Sequence, residues 1–234
     1  MNFVRKERYT IEDLLAVMEA LRSPEGCPWD REQTHASLRK CFLEETYEAV
    51  EAIDTGDVSL LEEELGDVLF QVVFHAQLEK EKGSFDFGDV VNGIAAKMVL
   101  RHPHVFGTVS VEGTEDVLRN WDAIKQKSKQ QKTQRQVLES VSKALPALMR
   151  AQKLQRKAGA GLEPRQAAAQ AEECLLQLKK GEASQEEKSD ALGRLLFAAA
   201  GLAEALHTDA EEALTRACGA FIEGFPAEEE KEKT

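Results

Sequence analysis

Four acidic residues have the types and spacing to hold a cation: Glu45 and Glu48, then Glu64 and Asp67. Each pair is spaced i, i+3, which places its two carboxylates on one face of a helix. Between the pairs lies Asp54-Thr55-Gly56-Asp57, a turn by composition, because Asp and Gly tolerate left-handed backbone and bond it locally. The midpoint of each pair lies 9.5 residues from Gly56. In an antiparallel hairpin both pairs then sit about 14 Å from the turn, at ~1.5 Å rise per residue. Four converging carboxylates repel one another and lose hydration. A hard divalent cation, Mg²⁺ or in its place Mn²⁺, relieves both effects and suits ligands that are all oxygen. Acidic residues on helices are ordinarily a solvated face; here the pairs are level across a turn and lie partly inside an apolar arc.

The elements that must carry these groups are legible from periodicity. Leu38, Phe42, Ala49 and Ile53 form an apolar stripe on the first arm; Glu45 intrudes at its edge, while Glu44 and Glu51 point elsewhere. From Leu65 to Leu78 the second arm is apolar almost all round, the pattern of a buried helix. Its polar residues Glu64, Asp67, Gln71 and His75 fall in one line. The hairpin is expected over residues 34–54 and 58–82, ended by Gly83. A helix over 10–22, with Thr10 as its N-cap and Asp13 three residues on, precedes it. Helices over 86–101, 114–129, 143–158, 164–180, 187–207 and 209–223 complete an all-α chain.

Two further sets of residues lie near this hairpin in sequence. Residues 23–30, Ser-Pro-Glu-Gly-Cys-Pro-Trp-Asp, read as an ordered loop or linker. Its Trp29 either plugs the core or stacks on a ligand base. Lys97 and Arg101 share a helix face at i, i+4, ahead of the helix-breaking Pro103. Bases there commonly answer the helix dipole, but beside an acidic metal site they are the direct cationic contacts that phosphates need. His102 and His104 are the pair a zinc reading would use, yet no further ligand spacing accompanies them.

Composition narrows the classes. The 234 residues are 42% apolar and 31% charged, as in ordinary soluble chains, with 42 acids against 30 bases and a net charge of −12. That balance argues against stable nucleic-acid binding or a membrane-surface role; a polyphosphate remains within reach where metal and local bases supply charge. Cys27, Cys41, Cys174 and Cys218 form no C-x-x-C pair. With no apolar region in the opening residues and no apolar run of ~18 residues, the expectation is a cytoplasmic protein with free thiols.

The chain also repeats itself. Glu64-Leu-Gly-Asp-Val-Leu-Phe recurs as Ala191-Leu-Gly-Arg-Leu-Leu-Phe, and Glu44-Glu45 recurs as Glu172-Glu173. In the second copy Leu176 stands for Glu48, Ala191 for Glu64 and Arg194 for Asp67. The packing pattern is kept and the metal pattern is lost. The expected layout is a catalytic unit over 1–130, a polar linker over 131–138, a degenerate unit over 139–225 and a charged tail over 226–234. The second unit then completes a bundle, dimerises or regulates.

These residues resemble the MazG family of nucleoside triphosphate pyrophosphohydrolases, within the all-α NTP pyrophosphatase superfamily. The resemblance rests on Gly26-Cys-Pro-Trp-Asp-Arg-Glu-Gln-Thr-His35, Glu44-Glu45-x-x-Glu48, Glu64-Leu-Gly-Asp67 and Arg101-His-Pro-His-Val-Phe106, in that order. It implies a helical bundle of two tandem units, commonly an intertwined homodimer, and Mg²⁺-dependent hydrolysis of an NTP to NMP and pyrophosphate. Carried onto this chain, Glu45, Glu48, Glu64 and Asp67 are the metal ligands, and Lys97 and Arg101 contact phosphate. Glu45 or its neighbour Glu44 accepts the proton of water. In the second copy Ala220 and Gly224 match Lys97 and Arg101, so catalysis is assigned to the first copy. Two alternatives stand beside this: a non-catalytic helical dimer acting as a binding or regulatory module, and a narrower dUTP or phosphoribosyl-ATP pyrophosphohydrolase.

Overall fold

The computed structural model describes residues 5–128, 133–159, 163–178 and 184–225. The charged tail and residues 129–132 of the polar stretch lie outside them. The described residues are helical with no strand, and contacts divide the chain into two compact units on either side of the Trp121–Asp122 bond.

In the first unit the caps set the boundaries. Helix α1 (Ile11–Arg22) opens on a reciprocal capping box between Thr10 and Asp13. The following turn brings Gly26 so close to α1 that a Cβ there would lie 2.2 Å from the Leu21 carbonyl oxygen, which leaves room for glycine alone. Pro28 then starts a single short helix, α2 (Pro28–Glu32), inside the stretch expected as loop; its preset φ suits the first helical position. Trp29 is 58% exposed on α2, so it does not plug the core. Asp30 is the residue this short helix turns inward.

Helix α3 (His35–Thr55) begins at a Thr34–Ser37 capping box and ends at Gly56 with φ 70°, a left-handed cap that favours glycine. Asp57 caps α4 (Val58–Lys82) by accepting from the Ser59 and Leu60 amides, each at 3.0 Å. Gly56 and Asp57 alone separate α3 from α4, and the two helices pack along each other. Met18, Leu38, Val73, Phe74 and Leu78 form the buried cluster beside them, flanked by Leu14, Leu15, Phe70 and Phe87. Arg22 closes its edge: the guanidinium lies 5.5 Å from the Phe74 ring centroid, donates twice to Glu81 at 2.7 Å, and donates to the Asp30 carbonyl.

The core occupies one end of the hairpin, which corrects two expectations. Leu65 is 54% exposed and Ile53 is 61% exposed. The apolar run of α4 is buried only from about Phe70 onward, because the core residues of α1 meet that end, while Leu65 and Leu69 nearer the turn stay exposed among the described residues. Helix α5 (Phe87–Arg101), capped by Asp86 and Asp89, buries no residue at all. Pro103 stops it as expected and opens a short α6 (Pro103–Phe106); α7 (Thr114–Ser128) follows.

In the second unit, α8 (Gln134–Glu139) arises within the polar stretch, capped by Thr133 and anchored by buried Val137. Helix α9 (Ala147–Ala158) starts later than periodicity alone predicts. Pro146 disfavours helical backbone in the residue before it. Helices α10 (Pro164–Leu178) and α11 (Gln185–Ala205) pack along each other, and α9 crosses α11. Helix α11 begins where Ser184 and Glu187 form a capping box. Buried Gln152 of α9 donates to the Thr208 carbonyl at 2.7 Å and accepts from the Ala210 amide at 3.0 Å. This satisfies the approach to α12 (Ala210–Glu223).

Phe74→Ala is expected to destabilise the first unit by about 3–5 kcal/mol, read as a lower urea midpoint of the full chain, whereas the exposed Phe225→Ala leaves it unchanged.

Candidate metal centre

The hairpin brings carboxylates from both arms to one place. Glu45 and Glu48 of α3 and Glu64 of α4 each offer a carboxylate oxygen, and the three oxygens lie within 4.8 Å of one another. Their helices are held in register by the two-residue connection at Gly56–Asp57, so this convergence follows from backbone geometry. Asp67 is not in the group of three, but its charge acts on both Glu45 and Glu64. Glu64 is buried, only 9% exposed, and its Oε2 has no hydrogen-bond partner among the described residues. A buried carboxylate oxygen left without a donor is costly.

The electrostatics carry the same message. Burial holds the Glu45 carboxyl above the usual range, and the charges of Asp67, Glu48 and Glu64 push it further. Burial also raises the Glu64 carboxyl, followed by Glu48 and Asp67. An oxygen-only set of mutually repelling carboxylates with an orphaned buried oxygen fits a hard divalent cation. Glu44 faces away as expected: it is exposed and paired with Lys40 at 2.8 Å.

The proposed phosphate contacts sit elsewhere in the first unit. Lys97 is exposed on α5. The Arg101 guanidinium lies 5.4 Å from the Trp121 ring centroid, with its Nε buried and without a hydrogen-bond partner among the described residues. His102 meets the same indole edge-on at 4.8 Å and hydrogen-bonds the Met98 carbonyl through Nδ1 at 2.6 Å. Sequence reading missed Trp121 as the platform under Arg101; as one of two tryptophans in the chain, it was the available signal. It also missed the partners of His75. His35 and His75 lie ring to ring with their Nδ1 atoms 2.7 Å apart, so one ring donates and the other accepts. His35 Nε2 is 2.6 Å from Glu79. Glu79 is held down to about 2 by hydrogen bonds from Lys82, His35 and Ser84.

The class defined so far is that of all-α proteins with an oxygen-only acidic cluster, suited to a cation, across a helix hairpin. Comparison with known proteins supplies the family. Residues 33–106 match the MazG nucleotide pyrophosphohydrolase domain. The chain is 42% identical over 224 residues to the nucleoside triphosphate pyrophosphohydrolase of Escherichia coli (strain K12), covering 92% of this chain and 85% of that protein. It is 40% identical over 223 residues to the nucleoside triphosphate pyrophosphohydrolase/pyrophosphatase MazG of Thermotoga maritima, covering 94% of this chain and 85% of that one. The crystal structure of a mazG-related protein from Thermotoga maritima aligns with a TM-score of 0.43 at 27% identity, over 50% of this chain and 99% of that one. The chain belongs to the MazG nucleotide pyrophosphohydrolase family.

Raised carboxyl pKa values mean that the folded chain holds protons the unfolded chain has released. Without metal, stability therefore falls as pH rises above the ordinary glutamate value of 4.5, and the loss is complete above the raised value. Glu64→Gln is expected to raise the metal-free melting temperature at pH 7 and to flatten its fall as pH rises above 4.5. Mg²⁺ or Mn²⁺ should raise the melting temperature of the parent and leave Glu64→Gln nearly unmoved; calorimetric scans with and without EDTA check both.

Proposed function

We propose that this chain is a Mg²⁺-dependent nucleoside triphosphate pyrophosphohydrolase, converting NTP and water to NMP and pyrophosphate at the hairpin of its first unit. The observation that carries the reading is the three-carboxylate cluster with its unpartnered Glu64 oxygen, in a chain whose relatives bear that activity in their names. Glu45, Glu48, Glu64 and Asp67 would hold the cation. When bound, Mg²⁺ supplies Lewis-acid polarisation of a phosphoryl oxygen and a more acidic water. Of the two candidate proton acceptors, Glu45 is favoured over Glu44, because Glu45 sits in the cluster and Glu44 is occupied by Lys40. Lys97 and Arg101 neutralise charge on the departing pyrophosphate, and the Trp121 ring holds the Arg101 guanidinium. Trp29, exposed on α2, is free to stack on the base.

The second copy is read as degenerate. The register that pairs Glu64 with Ala191 also pairs buried Val73 with buried Ala200 and buried Phe74 with buried Gly201. The burial pattern thus recurs while the acids do not, which supports a packing or regulatory role. The proposed layout is catalysis within 1–130, a linker over 131–138 and the degenerate copy over 139–225; contacts divide the chain earlier, after Trp121, and α8 (Gln134–Glu139) occupies most of the proposed linker.

What the first unit leaves uncovered supports reading the chain as a homodimer. Val91, Ile94, Val99 and Leu100 on α5, with Ile53 on α3 and Leu65 on α4, are exposed apolar residues whose burial favours association. No helix among the described residues is long and apolar enough to cross a membrane. The four cysteines are free, which suits the reducing cytoplasm.

Glu48→Ala and Asp67→Ala are each expected to cut pyrophosphate release by at least about 100-fold while helical circular dichroism stays unchanged. Retained turnover in either variant would refute the assignment. Across a panel of NTPs, NMP plus pyrophosphate supports the reading. NDP plus phosphate points to a different hydrolase, no product at all to a binding module, and turnover of dUTP alone to the narrower enzyme. Light scattering should give twice the 26.0 kDa chain mass, and Ile94→Asp should return the protein to the single-chain mass.

A further inference from the structure

The second unit contains a cavity of about 710 Å³ between α10 and α11, with Gln155 of α9 at its wall. On the register of the internal repeat it is level with the acidic cluster of the first hairpin: Glu173 stands for Glu45, Arg194 for Asp67 and Phe197 for Phe70. The chemistry has changed in kind. With Leu176 and Ala191 in place of two glutamates, no three-carboxylate set is formed there among the described residues. One guanidinium, two carboxylates, several amides and an aromatic ring face the same space.

We infer that this cavity is a metal-independent binding site for a ribonucleoside monophosphate. Arg194 is the cavity's one cationic side chain; it forms no ion pair or hydrogen bond with any described residue, and its planar fork matches a phosphate. Phe197 lines the wall and is 46% exposed, which leaves a ring face for a base. The hydrogen bond from Gln155 Nε2 to the Phe197 carbonyl, 2.7 Å, fixes α9 against α11 at this point. Glu173 and Asp190 accept hydrogen bonds, as the two hydroxyls of a ribose require. The Gln170 amide offers both a donor and an acceptor to a base edge. Arg194 is the one lining group that can balance phosphate charge and Glu173 and Asp190 already oppose it, so each further phosphate adds repulsion and the monophosphate is disfavoured least, the triphosphate most. The volume lies within the range of small-molecule sites. This inference concerns binding alone and does not depend on activity in the first unit. If that unit works as proposed, the ligand is its product class, and the site senses product.

The test is calorimetric titration of the full chain with AMP, GMP, CMP and UMP in EDTA, which removes the contribution of any metal-dependent site. One binding event per chain is expected for at least one of them. Affinity should fall at least tenfold in Arg194→Glu, fall in Phe197→Leu, and be partly kept in Arg194→Lys; Arg194→Gln, at an exposed position, serves where the charge reversal disturbs folding. The matching 2′-deoxynucleotide should bind more weakly. Absence of binding by all four nucleotides in EDTA overturns the inference. So does binding indifferent to Arg194→Glu, or binding lost in Glu48→Ala and kept in Arg194→Glu, which would place the nucleotide at the first hairpin. A change in oligomeric mass without a change in nucleotide affinity in Arg194→Glu overturns it too, by assigning the face to a second copy of the chain. Pyrophosphate release from NTP is measured separately, so failure of this site and failure of the catalytic reading give different results.

Discussion

Mutual repulsion among carboxylates that the backbone will not let separate is the constraint on which the first unit depends. Two residues connect α3 to α4, and each is specialised: Gly56 takes a left-handed conformation and Asp57 caps the next helix. That connection leaves no slack for the arms to slide, so Glu45 and Glu48 are held opposite Glu64 whatever their charges prefer. Burial makes the arrangement worse, since water that would screen the charges is excluded from Glu64 in particular. Such a site is unfavourable without a cation and favourable with one, and that asymmetry is what allows binding energy to be concentrated in it.

The stability that tolerates this strain lies at the other end of the hairpin. Met18, Leu38, Val73, Phe74 and Leu78 are buried there, and Arg22 ties α1, the α2 turn and α4 together through Glu81 and the Asp30 carbonyl. Between core and acidic cluster runs a seam of partly dehydrated polar groups on α4, from Glu64 through buried Gln71 to His75 and Glu79. The far end of the seam is satisfied internally: His35 bridges His75 and Glu79. The near end is not, because Glu64 Oε2 and Gln71 Oε1 are buried without hydrogen-bond partners among the described residues. Satisfied groups stabilise and unsatisfied ones cost stability, so the polarity of one helix changes in energetic sign along its length.

The helix pair α10–α11 of the second unit carries no such carboxylate set among the described residues. Ala191 is buried where Glu64 is buried in the first arm pair, and an alanine there incurs no desolvation cost. Gly201 stands where Phe74 fills the first core, and the space admits Gln155 of α9 so closely that a Cβ would strike its amide at 2.2 Å. Helices α10 and α11 pack along each other with no buried carboxylate between them among the described residues.

Helix type, order and most boundaries were legible in the sequence, because caps and periodicity are local. Thr10 with Asp13, Gly56, Asp57 and Gly83 mark ends that depend on only a few neighbouring residues. The convergence of Glu45, Glu48 and Glu64 was legible too, since i, i+3 spacing level across a tight turn is arithmetic on one helix pair. Everything requiring a third element was not. Trp29 is exposed, Leu65 and Ile53 are uncovered, and Arg101 rests on Trp121 because of where α1, α2 and α7 lie, which no periodicity encodes. The pairing of His35 with His75 likewise joins residues 40 positions apart. A sequence records which side chains share a helix face; only the packed chain decides which of those faces finds a neighbour, and hence which polar atoms are left without one.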